Sequence, residues 1–200
     1  MTEEIKIYVY GSCHFSDQLN NDEAVGNGGY GIVITSKGKE TDQISGGYSF
    51  TTNARMDIIG ITEALKKVKE PSNIVIYLSN GYVIDTLTKG WLEKWKKNGF
   101  KKKKHVDLWK GLDKILQETN HTISYKHSKD VKSSKLFQLA EQLGKTMSSK
   151  KNLPNDLKPD YNAEGLFERT SLTEAETGEI EDDRPILDSI CVDASTIDNP

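Results

Sequence analysis

Two cysteines in 200 residues, Cys13 and Cys191, stand far apart and form no CxxC pair. Neither a disulfide framework nor a cysteine-built zinc site is therefore expected. No apolar run approaches the ~18–20 residues that a membrane-spanning helix needs, which removes the bilayer as a partner. The N-terminal Met-Thr-Glu-Glu-Ile-Lys is unlike a secretory leader, so the cytoplasm, or a nucleus, is the expected compartment. No internal repeat is visible. Against these absences stand 35% hydrophobic and 28% charged residues, the balance of a globular chain with one real core.

The net charge of −3 conceals a division along the chain. Residues 149–200 carry 13 acidic against 5 basic residues, a balance of −8, while residues 1–148 carry 17 against 22, a balance of +5. A basic body with an acidic tail points toward a nucleic-acid partner. The tail has no sustained period and little aromatic content, which predicts a domain over 1–148 and a disordered segment over 149–200.

Ile5, Ile7 and Val9 alternate with Lys6, Tyr8 and Tyr10, the period of a strand with one buried face. Residues 14–28 (HFSDQLNNDEAVGNG) are rich in Asn, Asp and Gly and read as a loop. A second strand follows at Gly31–Thr35 and a third over 43–51, giving an antiparallel meander. Ile58, Ile61, Leu65 and Val68 fall at helical spacing before Pro71. The short apolar run of residues 73–78 suits a strand buried on both faces. Helices over 82–89, 91–97 and 106–118, a strand over 121–126 and a helix over 133–147 complete an α/β chain. The expected fold is a five-stranded mixed sheet, three antiparallel strands then two parallel ones, flanked by helices.

Seven strings then fall in order on these elements: Gly11-Ser12-Cys13, Gly28-Gly29-Tyr30-Gly31, Thr51-Thr52-Asn53-Ala54-Arg55-Met56, Tyr82-Val83, Trp91 through Phe100, Val106-Asp107-Leu108-Trp109 and Leu139-Ala140. Over roughly residues 4–147 the chain resembles the type I ribonuclease H family. The resemblance implies a ribonuclease H-like fold and two-Mg²⁺ hydrolysis of the RNA strand of an RNA/DNA hybrid. Two ions ~3.5–4 Å apart need several carboxylates to hold them, and the family supplies four.

Matched to those four positions, this chain has Tyr10, Asp57, Ser79 (or, with a one-residue gap, Asn80) and Phe137. Three of the four are not acids, which predicts a site that binds no Mg²⁺ and does not cut. An aspartate early in a helix is also favoured simply by the helix dipole. His127 falls on the family's mobile histidine, which assists proton transfer, and without metal it reads as a loop residue. His14, Asp17, Asp22 and Glu23 lack ligand-like spacing and read as solvated.

The basic protrusion of the family matches Trp91 to Lys104, where Trp91, Trp95 and Phe100 interleave with Lys94, Lys96, Lys97 and the run Lys101, Lys102, Lys103 and Lys104. Clustered lysines release counterions on meeting phosphate, and aromatic rings support a surface that tracks a backbone. Trp91 and Trp95, four apart, also suit packing. Cys13 and Asn53 match positions that approach the hybrid's minor groove, whose 2′-hydroxyls mark RNA, while Ala54 and Gly81 depart from the family's polar side chains. The expected function is a non-catalytic ribonuclease H-like protein that binds RNA/DNA hybrid or double-stranded RNA through this lysine-rich handle. The alternatives are a scaffold for a protein partner and a nuclease with a rebuilt site.

Overall fold

The computed structural model describes residues 4–20 and 23–156. Alternation along the first strand divides its side chains between two helical layers. Ile7 and Val9 of β1 (Glu4–Asn20) face one side of the sheet, and Tyr8 and Tyr10 face the other. β2 (Glu23–Ser36) and β3 (Lys39–Thr51) continue an antiparallel meander, and β4 (Asn73–Leu78) and β5 (Thr122–His127) add parallel strands on the other side of β1. The order is β3-β2-β1-β4-β5, the mixed sheet that the sequence predicts.

Of residues 14–28, expected from composition to be a loop, 14–20 and 23–28 are strand instead. Cys13 pairs with Gly28, His14 with Asn27 and Phe15 with Gly26, and after a register shift Leu19 pairs with Ala24. Cross-strand pairing overrides the weak strand preference of Asn, Asp and Gly.

Helix α1 (Asn53–Lys67) is capped by Thr52, whose hydroxyl accepts the Arg55 N–H, and it lies on the Ile7/Val9 face. Helices α2 (Gly81–Thr88), α3 (Trp91–Lys97) and α4 (Val106–Glu118) extend that layer. Helix α5 (Lys135–Ser148) covers the opposite face, with Phe137 and Ala140 packed on Tyr8, Val33 and Tyr77. Its approach to β2 is so close that a Cβ at Gly31 would collide with the Ala140 carbonyl.

The ordered body does not end at 148. Ser49 donates its N–H to the Pro154 carbonyl, and Asp156 donates its N–H to Ser49. Asp156 is buried and accepts from Arg55 Nε at 2.5 Å and from the Thr51 hydroxyl at 2.7 Å. Arg55 is only 3% exposed, and Asp107 of α4 holds its other edge with two bonds of 2.8 and 3.0 Å. Burial opposes this charge, but the hydrogen bonds to Asp156 and Asp107 outweigh it and hold the guanidinium pKa above its usual value. A buried arginine needs both carboxylates, so residues 149–156 belong to the domain. The rest of the expected tail, with Cys191, lies outside the described residues.

Candidate functional site

The β1–β4 ladder stops at the pair Tyr8–Tyr77, while β1 runs on beside β2 alone. This leaves a notch at the C-terminal ends of the parallel strands, where an open α/β sheet exposes unpaired backbone groups to a ligand. In the notch the Gly11 N–H donates to Asp57 Oδ1 at 2.8 Å. A Cβ at Gly11 would sit 2.8 Å from that oxygen and from the Asn53 carbonyl, so only glycine lets α1 start this close to β1.

Asp57 is not in the first turn of its helix, as the dipole argument requires; α1 begins at Asn53 and its first turn holds no acid. Its carboxyl is 1% exposed. Burial pushes its pKa from 3.8 up to about 7, against the opposing hydrogen bonds from Gly11 and the Asn80 side chain. The group that meets Asp57 from the end of β4 is therefore Asn80; Ser79, the ungapped match, lies one residue back and half-buried. Asn80 also caps α2, its Oδ1 accepting the Val83 N–H.

Tyr10 and Phe137 meet edge to face, with ring centroids 6.0 Å apart. Phe137 is buried at 3% exposure and Tyr10 is half-buried, so both rings join the layer beneath α5. His127 ends β5 level with Leu78, and its Nδ1 accepts the Lys129 N–H at 3.1 Å. Burial, then the neighbouring Lys129 charge, hold its pKa below the usual value.

The Mg²⁺ pair that the family implies does not fit these residues. The notch offers one carboxyl, buried, bonded by the Gly11 N–H and pushed by burial up to a pKa of about 7, and an aromatic pair fills the slots at 10 and 137. Among the described residues no group of three or more His, Cys, Asp or Glu is placed to hold an ion. Asp22 lies outside them, and Asp17 and Glu23 fall on the outer end of the β1–β2 hairpin. His14 instead lies 3.4 Å from the Ser149 hydroxyl.

The lysine-rich segment is built differently. Trp95 is 5% exposed and packs against Trp91, Trp109 and Tyr82 at centroid distances of 5.9 to 6.4 Å, so it roots the handle in the core. The Lys103 ammonium lies 5.3 Å from the Trp95 ring centroid. Beyond α3 the chain curls through left-handed backbone at Gly99, Phe100, Lys102 and His105. Lys94, Trp95, Lys97, Lys101, Lys102 and Lys103 line a concavity of about 670 Å³. Lys97, Lys101 and Lys102 are exposed there, and Lys104 is half-buried.

Lys96, expected among the phosphate contacts, is engaged elsewhere. Its ammonium bonds Asp113 at 2.9 Å and Glu93 at 3.1 Å, and these bonds raise its pKa. It braces α3 against α4. Of the expected groove-facing residues, Cys13 is half-buried, its thiol 3.5 Å from the Thr51 carbonyl. Asn53 opens α1 with a buried Oδ1 that has no hydrogen-bond partner. Phe50, two residues before the Thr52 cap, escaped the sequence reading. It is 48% exposed with φ +56°.

A parallel notch edged by α1 and α5, with a basic protrusion between α3 and α4, defines a ribonuclease H-like protein. The family model for RNase H matches residues 2–149, and the chain belongs to that family. It is 34% identical over 167 residues to the ribonuclease H of Trichodesmium erythraeum, covering 78% of this chain and 98% of that one. With the ribonuclease HI of a Synechocystis strain it shares 33% identity over 126 residues, 60% of this chain and 74% of the other. Among solved structures, the protease–reverse transcriptase of prototype foamy virus superposes with a TM-score of 0.62 at 25% identity, over 75% of this chain and 21% of that chain. A foamy viral protease–reverse transcriptase solved in complex with double-stranded DNA gives 0.59 at 25% identity, covering 72% and 94%. A type 1 RNase H with the type 2 active-site motif gives 0.60 at 20% identity, over 74% and 73%, a likeness of fold.

Proposed function

We propose that this chain is a non-catalytic ribonuclease H-like protein that binds RNA/DNA hybrid or double-stranded RNA through the lysine-rich handle and works in the cytoplasm. The observation that carries the reading is the contrast between two parts of one molecule. At the notch, acids give way to a packed Tyr10–Phe137 pair and to a buried Asp57 that accepts the Gly11 N–H. At the handle, basic residues stand even where the backbone resists them: Lys102 holds φ +57°, a conformation that costs a non-glycine residue roughly 1–2 kcal/mol. Glycine would fit there more easily. A lysine kept at such a position has its use outside the fold.

In this reading Lys94, Lys97, Lys101 and Lys102 contact phosphates as point charges, and Lys103 follows the strand while resting on Trp95. Cys13 and Asn53 face the groove. The relatives' shared name favours a second reading, a hybrid-cleaving enzyme with a rebuilt site.

One experiment separates them. Incubated with Mg²⁺ or Mn²⁺, the full chain is expected to leave a hybrid intact and to bind it with log K falling by about 3 to 4 per tenfold rise in salt, four phosphates neutralised. Turnover that Asp57→Asn abolishes would overturn the non-catalytic reading. Absence of binding at low salt would overturn the nucleic-acid reading and leave a protein scaffold. Restoring Asp at 10 and 137 and at either 79 or 80, together with Glu at 57, is the converse test, since single restorations leave the ion pair without its ligand set.

A further inference from the structure

The strand that ends beside the notch leads into a second group of lysines. Residues 126–135 (KHSKDVKSSK) hold four lysines and one acid, Asp130. The segment follows the rim of the notch. His127 closes β5 level with Leu78, and two residues past Lys135 comes Phe137, whose ring meets Tyr10.

Its side chains divide with a period of three. Ser128, Val131, Ser134 and Phe137 are buried or half-buried, whereas Lys126, Lys129, Lys132 and Lys135 are exposed. The 3-10 turn Ser128–Val131 sets the phase, because residues three apart eclipse one another there. The backbone that carries the row is tied down. Val131 and Leu136 pack on the layer under α5, Ser134 donates its N–H to the Val131 carbonyl at 2.8 Å, and Lys129 donates its N–H to His127 Nδ1.

Nothing in the fold accounts for this charge. Among the described residues no ion pair engages any of the four lysines, and Glu141, the only acid of α5, is taken by Lys145 at 3.1 Å. Asp130 is exposed, and its charge acts on His127. The row also leads into the N-terminus of α5, where the helix dipole favours anions and disfavours lysine. Lys135 is nonetheless the first residue of that helix, and its first turn carries no acid. The lysines thus repel one another and the helix end beside them. Charge kept there at the expense of the fold serves an anion outside it.

We propose that Lys126, Lys129, Lys132 and Lys135 form a second phosphate-binding row, on the rim of the notch away from the handle, and that a nucleic-acid duplex lies across the notch on both. The handle is rooted in the layer with α1 and α4, and the row in the layer under α5, so the sheet stands between the two surfaces. A duplex has two backbones to offer to two such surfaces. Each carries a phosphate charge every ~3.4 Å of its axis, so a row of lysines meets one strand without reading its bases. The proposal rests on the reading of this chain as a duplex binder and adds a contact surface to it.

The test measures hybrid affinity against salt for the full chain and two full-chain variants. The rim variant carries Lys126→Gln, Lys129→Gln, Lys132→Gln and Lys135→Gln. The control carries Lys39→Gln, Lys67→Gln, Lys69→Gln and Lys114→Gln, and all eight positions are exposed. Four phosphates on the handle account for a slope of about 3 to 4, and four more on the row raise it to about 6 to 7. The native chain and the control are expected to show the steeper slope, and the rim variant the shallower one. Equal slopes for the native chain and the rim variant overturn the row and leave the handle standing. An equal fall in the control also overturns it, because net charge alone then explains the effect. If the native chain does not bind the hybrid at low salt, the duplex reading itself fails and the row fails with it.

A second readout needs no substitution. At ~0.05 M salt, bound hybrid is expected to slow acylation of Lys129 and Lys132 about threefold relative to Lys39, together with Lys101 and Lys102 of the handle. Protection confined to the handle overturns the row. Protection of Lys129 and Lys132 by phosphatidylserine vesicles but not by the hybrid overturns it as well and assigns the face to an anionic membrane surface.

Discussion

Asp57→Asn exchanges a titrating buried group for a neutral one of the same shape, which makes the notch accessible to a stability measurement. In the folded chain the Asp57 carboxyl is held near pKa 7, against 3.8 unfolded, and burial is the largest cause. The sign follows directly. Below pH 4 both states are protonated and Asp57 adds no pH dependence. As pH rises, the unfolded chain ionises first and stability is lost, until the folded carboxyl also ionises near pH 7. Three units at 1.36 kcal/mol each make the whole loss about 4 kcal/mol, of which about 3 kcal/mol falls between pH 5 and 8. The Asn variant keeps an oxygen for the Gly11 N–H but turns an amide toward Asn80, at about 1 kcal/mol independent of pH. Urea unfolding of both proteins at a series of pH values is therefore expected to give curves that diverge by about 3 kcal/mol over that range, with the variant gaining toward high pH. Parallel curves would refute the account, because they require Asp57 to ionise normally in the fold. Mg²⁺ tests the same point: an Asp57 that held an ion would make the wild type, and not the variant, more stable on adding it at pH 8.

The remaining expectations concern other parts of the molecule. Asp156→Asn weakens the clamp on the buried Arg55 and is expected to lower stability by about 3–5 kcal/mol in urea unfolding, more than any exposed ion pair of this protein. Lys101→Gln and Lys102→Gln are each expected to reduce the salt slope of hybrid binding by about 0.9, whereas Lys96→Gln, whose charge already serves Asp113 and Glu93, leaves the slope unchanged. Phe137→Asp alone places a carboxylate in the layer under α5 and is expected to cost at least about 3 kcal/mol of stability, read by thermal or urea unfolding, without turnover.

Much of this architecture is legible in the residues. Strand and helix periods give the sheet order and the helices to within a few positions, because the apolar stripes that make the pattern are the ones that become buried. The failures share a cause: each depends on a partner distant in sequence. The strand pairing of 14–20 with 23–28 exists because Phe15 pairs with Gly26 and Leu19 with Ala24, not because these residues prefer strand. The domain passes 148 because Arg55 lacks a second carboxylate until Asp156 arrives. Lys96 reads as one lysine among seven, and only the approach of α4 brings Asp113 to it. At the notch the sequence names Tyr10, Asp57 and Phe137 but not how they are placed. The edge-to-face contact of Tyr10 with Phe137, and the choice of Asn80 over Ser79, come from the way α5 and β4 end.

The sheet itself explains how the notch and the handle can change separately. Tyr10 and Phe137 belong to the layer between the sheet and α5, with Tyr8, Val33, Tyr77 and Ala140. Trp95 and Trp109, which root the handle, belong to the other layer with α1, and Arg55 ties α1 to α4 on that side. Exchanging acids for aromatic rings under α5 relieves the repulsion of clustered carboxylates and adds apolar contact there. It moves nothing in the tryptophan cluster, since a close-packed sheet separates the two layers. The lysine-rich segment rooted on Trp95 and Trp109 therefore keeps its packing whatever side chains line the layer under α5.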